Sequence, residues 1–99
     1  LGRVEDLVST RSGGKIGMFT YRTLKLVSGL VESQVIQKDY DLFVVRCVLD
    51  GSVNTGDIRV DIRDRFSKAV GERVNVELEV VDALPRGANG KIRLVISEI

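Results

Sequence analysis

A chain of 99 residues, 43% of them hydrophobic, has material for one compact core and not for two. A fold of this size hides only roughly 60 to 65% of its unfolded surface, which excludes a large enclosed substrate chamber and leaves a shallow or shared pocket. Fifteen Lys and Arg against fourteen Asp and Glu give a net charge of +1, so bulk charge selects no partner.

The opening Leu1-Gly2-Arg3-Val4-Glu5-Asp6 reads as a charged connector that enters a small strand at Leu7-Val8. Ser12-Gly13-Gly14 suits a tight turn, and a second short strand over residues 15–17 closes a hairpin. Leu24 and Val27 at helical spacing predict a helix over residues 20–30, with Thr20 as its cap and Ser28-Gly29 as its stop. Residues 31–38 read as a strand with Val31, Ser33, Val35 and Gln37 on one face. After the polar turn Asp39-Tyr40-Asp41, the run Leu-Phe-Val-Val-Arg-Cys-Val-Leu over residues 42–49 is the strongest strand signal in the chain.

Asn54, with Asp57 three residues later, predicts a capping box for a second helix. Ile58, Ile62, Phe66 and Ala69 form the inward stripe of that helix, and Gly71 ends it. Val74, Val76, Leu78 and Val80 alternate with mostly polar residues in the next strand. Residues 82–90 form a long connection, and Ile92, Leu94 and Ile96 alternate in a terminal strand. The expected fold is a two-layer α/β (α+β) sandwich: a small mixed or antiparallel sheet, two packed helices and a short N-terminal hairpin.

His is absent and Cys47 is the only cysteine, which excludes His acid/base chemistry, a Cys/His zinc cluster and an intramolecular disulfide. Cys47 sits within the apolar strand pattern and is expected to be a buried, unreactive thiol. No uninterrupted apolar stretch approaches 18 residues and no basic leader precedes one, so the expected setting is soluble and cytoplasmic, without stable membrane insertion. Nucleic-acid binding is not expected. Glu5 and Asp6 interrupt the basic residues near the start, Trp is absent, and Tyr21, Phe43 and Phe66 are assigned to the core.

The sharpest chemical constellation is Pro85-Arg86-Gly87-Ala88-Asn89-Gly90-Lys91, directly before the terminal strand. Proline restricts its entrance and two glycines allow turns, so Lys91 can present a cation to a phosphate, a carboxylate or a developing negative charge. A solvated surface lysine is the competing reading. Arg86 and Arg93 add local charge and are equally explained by solvent or nearby acids.

With Gly2-Arg3-Val4-Glu5-Asp6-Leu7 at one end and Leu84-Pro85-Arg86-Gly87-Ala88-Asn89-Gly90-Lys91 near the other, the chain resembles the small C-terminal domain of adenylate-forming ligases. The resemblance is to the phenylacetate-CoA ligase and capsular-biosynthesis CapK-like branch, and it spans essentially all 99 residues. It implies one domain, residues 1–99, of an enzyme whose large N-terminal domain binds nucleotide and acyl group and is absent here. The parent would use ATP and Mg²⁺ to convert a carboxylic acid to an acyl-adenylate, with CoA as acceptor in the ligase branch, while the isolated domain would be inactive.

By the same resemblance, Lys91 is the adenylation lysine, Arg3 faces the nucleotide, and Glu5 with Asp6 forms the hinge. Gly13 and Gly14 belong to a loop that nears the CoA channel after the domain rotates. Glu5 departs from the Asp or Lys common at that hinge. Structural ion pairing competes for Arg3 and Glu5, and a plain hairpin turn competes for Gly13 and Gly14. The alternative for the whole chain is a stand-alone α/β regulatory or protein-interaction domain.

Overall fold

The computed structural model describes residues 3–51, 53–84 and 92–99. The strands are β1 (Arg3–Glu5), β2 (Val8–Ser9), β3 (Lys15–Ile16), β4 (Leu30–Asp39), β5 (Leu42–Leu49), β6 (Asn75–Val80) and β7 (Ile92–Ser97). Two helices, α1 (Phe19–Thr23) and α2 (Thr55–Val70), interrupt them. A five-stranded mixed sheet runs β1-β7-β4-β5-β6, and β2 with β3 forms the separate antiparallel hairpin. This is the expected two-layer α+β sandwich.

β4 and β5 are joined by the short Tyr40-Asp41 turn and pair antiparallel. β6 returns parallel to β5 because the 16-residue α2 carries the chain back along the sheet. Asn54 caps α2: its side chain accepts from the Asp57 N–H at 3.1 Å, which satisfies one of the donors a helix start leaves open. The buried stripe is Ile58, Ile62 and Phe66, with Ala69 packed beside it, as the 3.6-residue period requires.

The opening segment is more than a connector. Arg3–Glu5 is an edge strand of the main sheet, parallel to β7, and its short charged sequence hid that because a three-residue edge needs no apolar alternation. The first helix is also shorter than the spacing suggests. Leu24 already has a C-cap conformation, and Val27 reaches the core through a turn in which its N–H donates to the Leu24 carbonyl at 3.1 Å. A separation of three residues is served by that turn as well as by a helix, so Leu24 and Val27 are buried while Leu26 between them is 74% exposed. Gly29, at φ 84°, follows; a Cβ there would overlap the Val53 side chain, and the Gly29 carbonyl accepts from the Asp50 N–H at 2.8 Å.

Thr20 is not the cap of α1. Met18 occupies that position in left-handed backbone, at φ 54°, without a side-chain cap bond. Tyr21, assigned to the core from sequence, is 56% exposed; Phe19 is buried instead. Phe19 stacks on Phe43 at 5.7 Å between ring centroids, and Phe66 meets both edge-on at 4.7 and 5.2 Å. This trio joins α1, β5 and α2 in one core.

The hairpin is fastened to the sheet by a polar contact inside that core. Gln37 of β4 is 0% exposed, its amide nitrogen donates to the Ser9 carbonyl at 2.8 Å, and its oxygen accepts from the Ser9 N–H at 3.0 Å. The amide thus plays the part of a neighbouring strand for one residue of β2. Gln37→Leu would leave both Ser9 groups buried and unpaired, at about 1 to 3 kcal/mol each. Urea unfolding should therefore show a loss of roughly 2 to 6 kcal/mol, whereas a loss of a few tenths would mean that the clamp is dispensable.

Candidate functional site

Glu5 and Asp6 stand where the chain leaves the sheet edge for the hairpin, and both carboxylates are bound within the domain. The Glu5 side chain accepts from the Thr20 N–H at 3.2 Å, supplying from 15 residues away the cap that α1 lacks locally. One oxygen of Asp6 accepts from the Ser97 N–H and from the Arg93 guanidinium, each at 2.9 Å, while the Asp6 N–H donates to the Val95 carbonyl at 3.0 Å. The β1–β7 ladder is irregular immediately before this point: Val4 pairs with Arg93 and Glu5 with Val95, skipping Leu94. A bulge of this kind bends the strand and interrupts the pairing.

The turn carrying Gly13 and Gly14 is closed mainly by Thr10. The Thr10 N–H donates to the Gly14 carbonyl at 2.9 Å, the Gly13 N–H to the Thr10 carbonyl at 2.9 Å, and the Gly14 N–H to the Thr10 hydroxyl at 2.8 Å. Gly13 has φ 93° with open space around it; at Gly14, a Cβ would stand 2.9 Å from that hydroxyl oxygen. Arg11 anchors the turn outward: its guanidinium is 3.4 Å from Glu72, 3.7 Å from Asp41 and 5.4 Å from the centre of the Tyr40 ring. Sequence reading passed over Thr10, Arg11 and Gln37. A threonine four residues before a glycine of a Gly-Gly turn is the one signal that could have pointed to Thr10.

Lys91, with the rest of residues 85–91, lies outside the described residues, as does the side chain of Arg3. The backbone still relates the neighbouring groups. Ile92, which follows Lys91 in the chain, is the register partner of Arg3 at one end of β7. At the other end Ser97 binds Asp6, and Gln37, its partner on β4, holds Ser9 at the base of the hairpin. Five residues of strand, roughly 16 Å, separate the two ends. Asp6 and the base of the hairpin thus lie near one end of β7, Arg3 pairs at the opposite end, and Glu5 pairs with Val95 between them.

Cys47 is fully buried in β5, and burial pushes its thiol pKa up, the reverse of what a nucleophile needs. Among the described residues no group of three His, Cys, Asp or Glu side chains is placed to hold a metal ion.

The family model of the CapK C-terminal domain matches residues 7–98. No curated protein matches the chain. Among solved structures, an open conformation of 2-hydroxyisobutyryl-CoA ligase, in complex with 2-HIB-AMP and CoA, has a similar fold. The TM-score is 0.65 at 22% sequence identity, over 92% of this chain and 21% of that one. The chain spans about a fifth of that protein's length.

Two measurements bear on these groups. Asp6→Ala should cost about 1 kcal/mol, the hydrogen bonds being partly exposed, and Asp6→Asn should recover part of it; equal stability of all three proteins in urea would show that Asp6 does not hold the edge. The raised pKa of Cys47 favours the folded state below the pKa of an unfolded thiol, about 8.5, and that contribution is lost as pH rises from there through the folded value. Stability of the wild type should therefore fall more steeply than that of Cys47→Ala between about pH 8 and about pH 10; parallel curves would contradict it.

Proposed function

We propose, from the premise that this chain belongs to the CapK C-terminal domain family, that it is the mobile small domain of an ATP-dependent, acyl-adenylate-forming ligase. The observation that carries this reading is the arrangement along β7. The strand that follows the lysine loop starts opposite Arg3, and the glycine hairpin is fastened near the far end of the same strand. The two ends of β7 lie roughly 16 Å apart, and segments attached at opposite ends of a rigid strand do not serve one reaction centre together. A domain that turns between two half-reactions can present one and then the other.

In the first half-reaction the Lys91 ammonium would lie between the carboxylate of the acid substrate and the α-phosphate of ATP. There it orients two mutually repelling anions and offsets the charge that builds as the carboxylate oxygen attacks phosphorus and pyrophosphate leaves. Arg3 would contact the nucleotide. In the second half-reaction the hairpin would face the acceptor, CoA in this reading, with Gly13 and Gly14 admitting it close to the backbone. Glu5 and Asp6 would be the hinge, which the interrupted ladder at Val4/Glu5 supports. The nucleotide pocket, the acyl pocket and the residues that manage Mg²⁺ would belong to the large domain, so acid selectivity does not reside in these 99 residues. Among the described residues no helix is long and apolar enough to cross a membrane, and we assign the enzyme to the cytoplasm.

The test is ATP-dependent pyrophosphate release by the full parent chain over a panel of carboxylic acids, with wild type compared to Lys91→Ala. Loss of the cation should slow adenylation by roughly 100-fold or more while the circular dichroism spectrum stays that of the wild type. A folded Lys91→Ala enzyme that releases pyrophosphate at the wild-type rate would overturn the assignment. Leaving out CoA then separates activation from transfer.

A further inference from the structure

The ionic partners of the described cations are unevenly distributed. Arg11, Lys38, Arg46, Arg63, Arg65 and Arg93 each face a carboxylate within 3.7 Å. Lys15, Arg22, Lys25, Arg59, Lys68 and Arg73 are in no such pair among the described residues, and three of these six, Lys15, Arg22 and Lys68, line one groove between β3, α1 and α2. The Lys15 ammonium donates to the Ser9 hydroxyl at 2.7 Å and the Arg22 Nε to the Gly17 carbonyl at 3.1 Å. Both acceptors are neutral, so the bonds orient the cations without cancelling their charge. Lys68, exposed in the last turn of α2, makes no such bond among the described residues.

Two acids also line the groove. Asp61 is held at 2.9 Å by Arg65, and the Asp64 carboxylate lies 3.5 Å from Arg63, outside the lining. With Lys15, Arg22, Arg65 and Lys68 set against Asp61 and Asp64, the groove carries +2, more than the +1 of the whole chain. The groove thus carries a net positive charge of its own.

We infer that this groove is a binding site for a phosphate group. A phosphate offers two charges and three terminal oxygens to the two ammonium groups and one guanidinium that stand unneutralised, whereas a single carboxylate would satisfy only part of them. The two acids disfavour the continuous backbone of a nucleic acid. The groove measures about 760 Å³, within the range of small-molecule sites and larger than a phosphate alone needs. It leaves room for the organic part of a phosphate ester or for a phospholipid headgroup. The site uses neither Lys91 nor the hinge carboxylates, and it does not depend on the ligase reading.

Pyrophosphate titrated into the protein at low ionic strength, without acid substrate or ATP, tests this by calorimetry; vesicles containing phosphatidic acid form a parallel arm read by co-sedimentation. Lys68→Ala should weaken binding by roughly fivefold to tenfold, the loss of one charge-assisted contact, and Lys68→Glu by more. Lys38→Ala, which changes the net charge equally but removes a cation paired to Glu98 elsewhere, should stay within about twofold of wild type. Binding of pyrophosphate that follows this order supports the site and identifies a soluble phosphate. The same order with vesicles alone supports it and identifies a headgroup. Absence of binding in both arms, or equal loss in Lys68→Ala and Lys38→Ala, would overturn it.

Discussion

One buried amide governs how the parts of this domain are arranged. Gln37 lies at the end of β4 with no exposed surface, and both of its polar atoms are spent on the backbone of Ser9. Burying an amide is costly unless each group is matched. The match is available only when the hairpin lies in one position against the sheet, so the need to satisfy the amide fixes that position. An apolar residue would fill the space as well, without specifying where along the strand the hairpin rests.

From that contact the geometry extends in two directions. Along the hairpin, Lys15 binds the Ser9 hydroxyl, Thr10 closes the turn, and Arg11 ties it to the Tyr40-Asp41 turn and to Glu72 beyond α2. Along the sheet, Ser97 is the β7 partner of Gln37 and donates to Asp6. The aromatic trio of Phe19, Phe43 and Phe66 supplies the apolar side of the same junction. Exposed ion pairs contribute little individually. Their effect here is to orient a turn whose position the buried amide has already set.

The apolar framework was legible in the sequence wherever periodicity and burial agree. The apolar run of β5 reads as a strand and the Ile58, Ile62 and Phe66 stripe as the inner face of a helix, and both form, although β5 buries mainly one face where the run suggested two. Legibility failed where a short-range pattern has two solutions or where the partner is distant. Leu24 and Val27 fit a helix and a turn alike, and the turn is what forms. The cap of α1 comes from Glu5, 15 residues back, which no local rule for helix starts could indicate. Gln37 looked like one polar residue of a mixed strand because its partner lies 28 residues away. The motif residues of the candidate site were legible only through resemblance, since a lysine after a glycine-rich loop has no unique chemical meaning by itself.

The missed rung between Val4 and Glu5 has a mechanical consequence. A continuous parallel ladder would make β1 a stiff extension of the sheet, and any torque applied upstream would be transmitted straight into the core. With Leu94 skipped, the strand is compliant at that rung, while one residue later Asp6 is moored to β7 through Val95, Ser97 and Arg93. Arg3 and Val4, upstream of the skipped residue, pair with Ile92 and Arg93 of the same strand, so a twist arriving along the chain meets the sheet edge first, and the bulge lets that edge bend without loosening the mooring at Asp6.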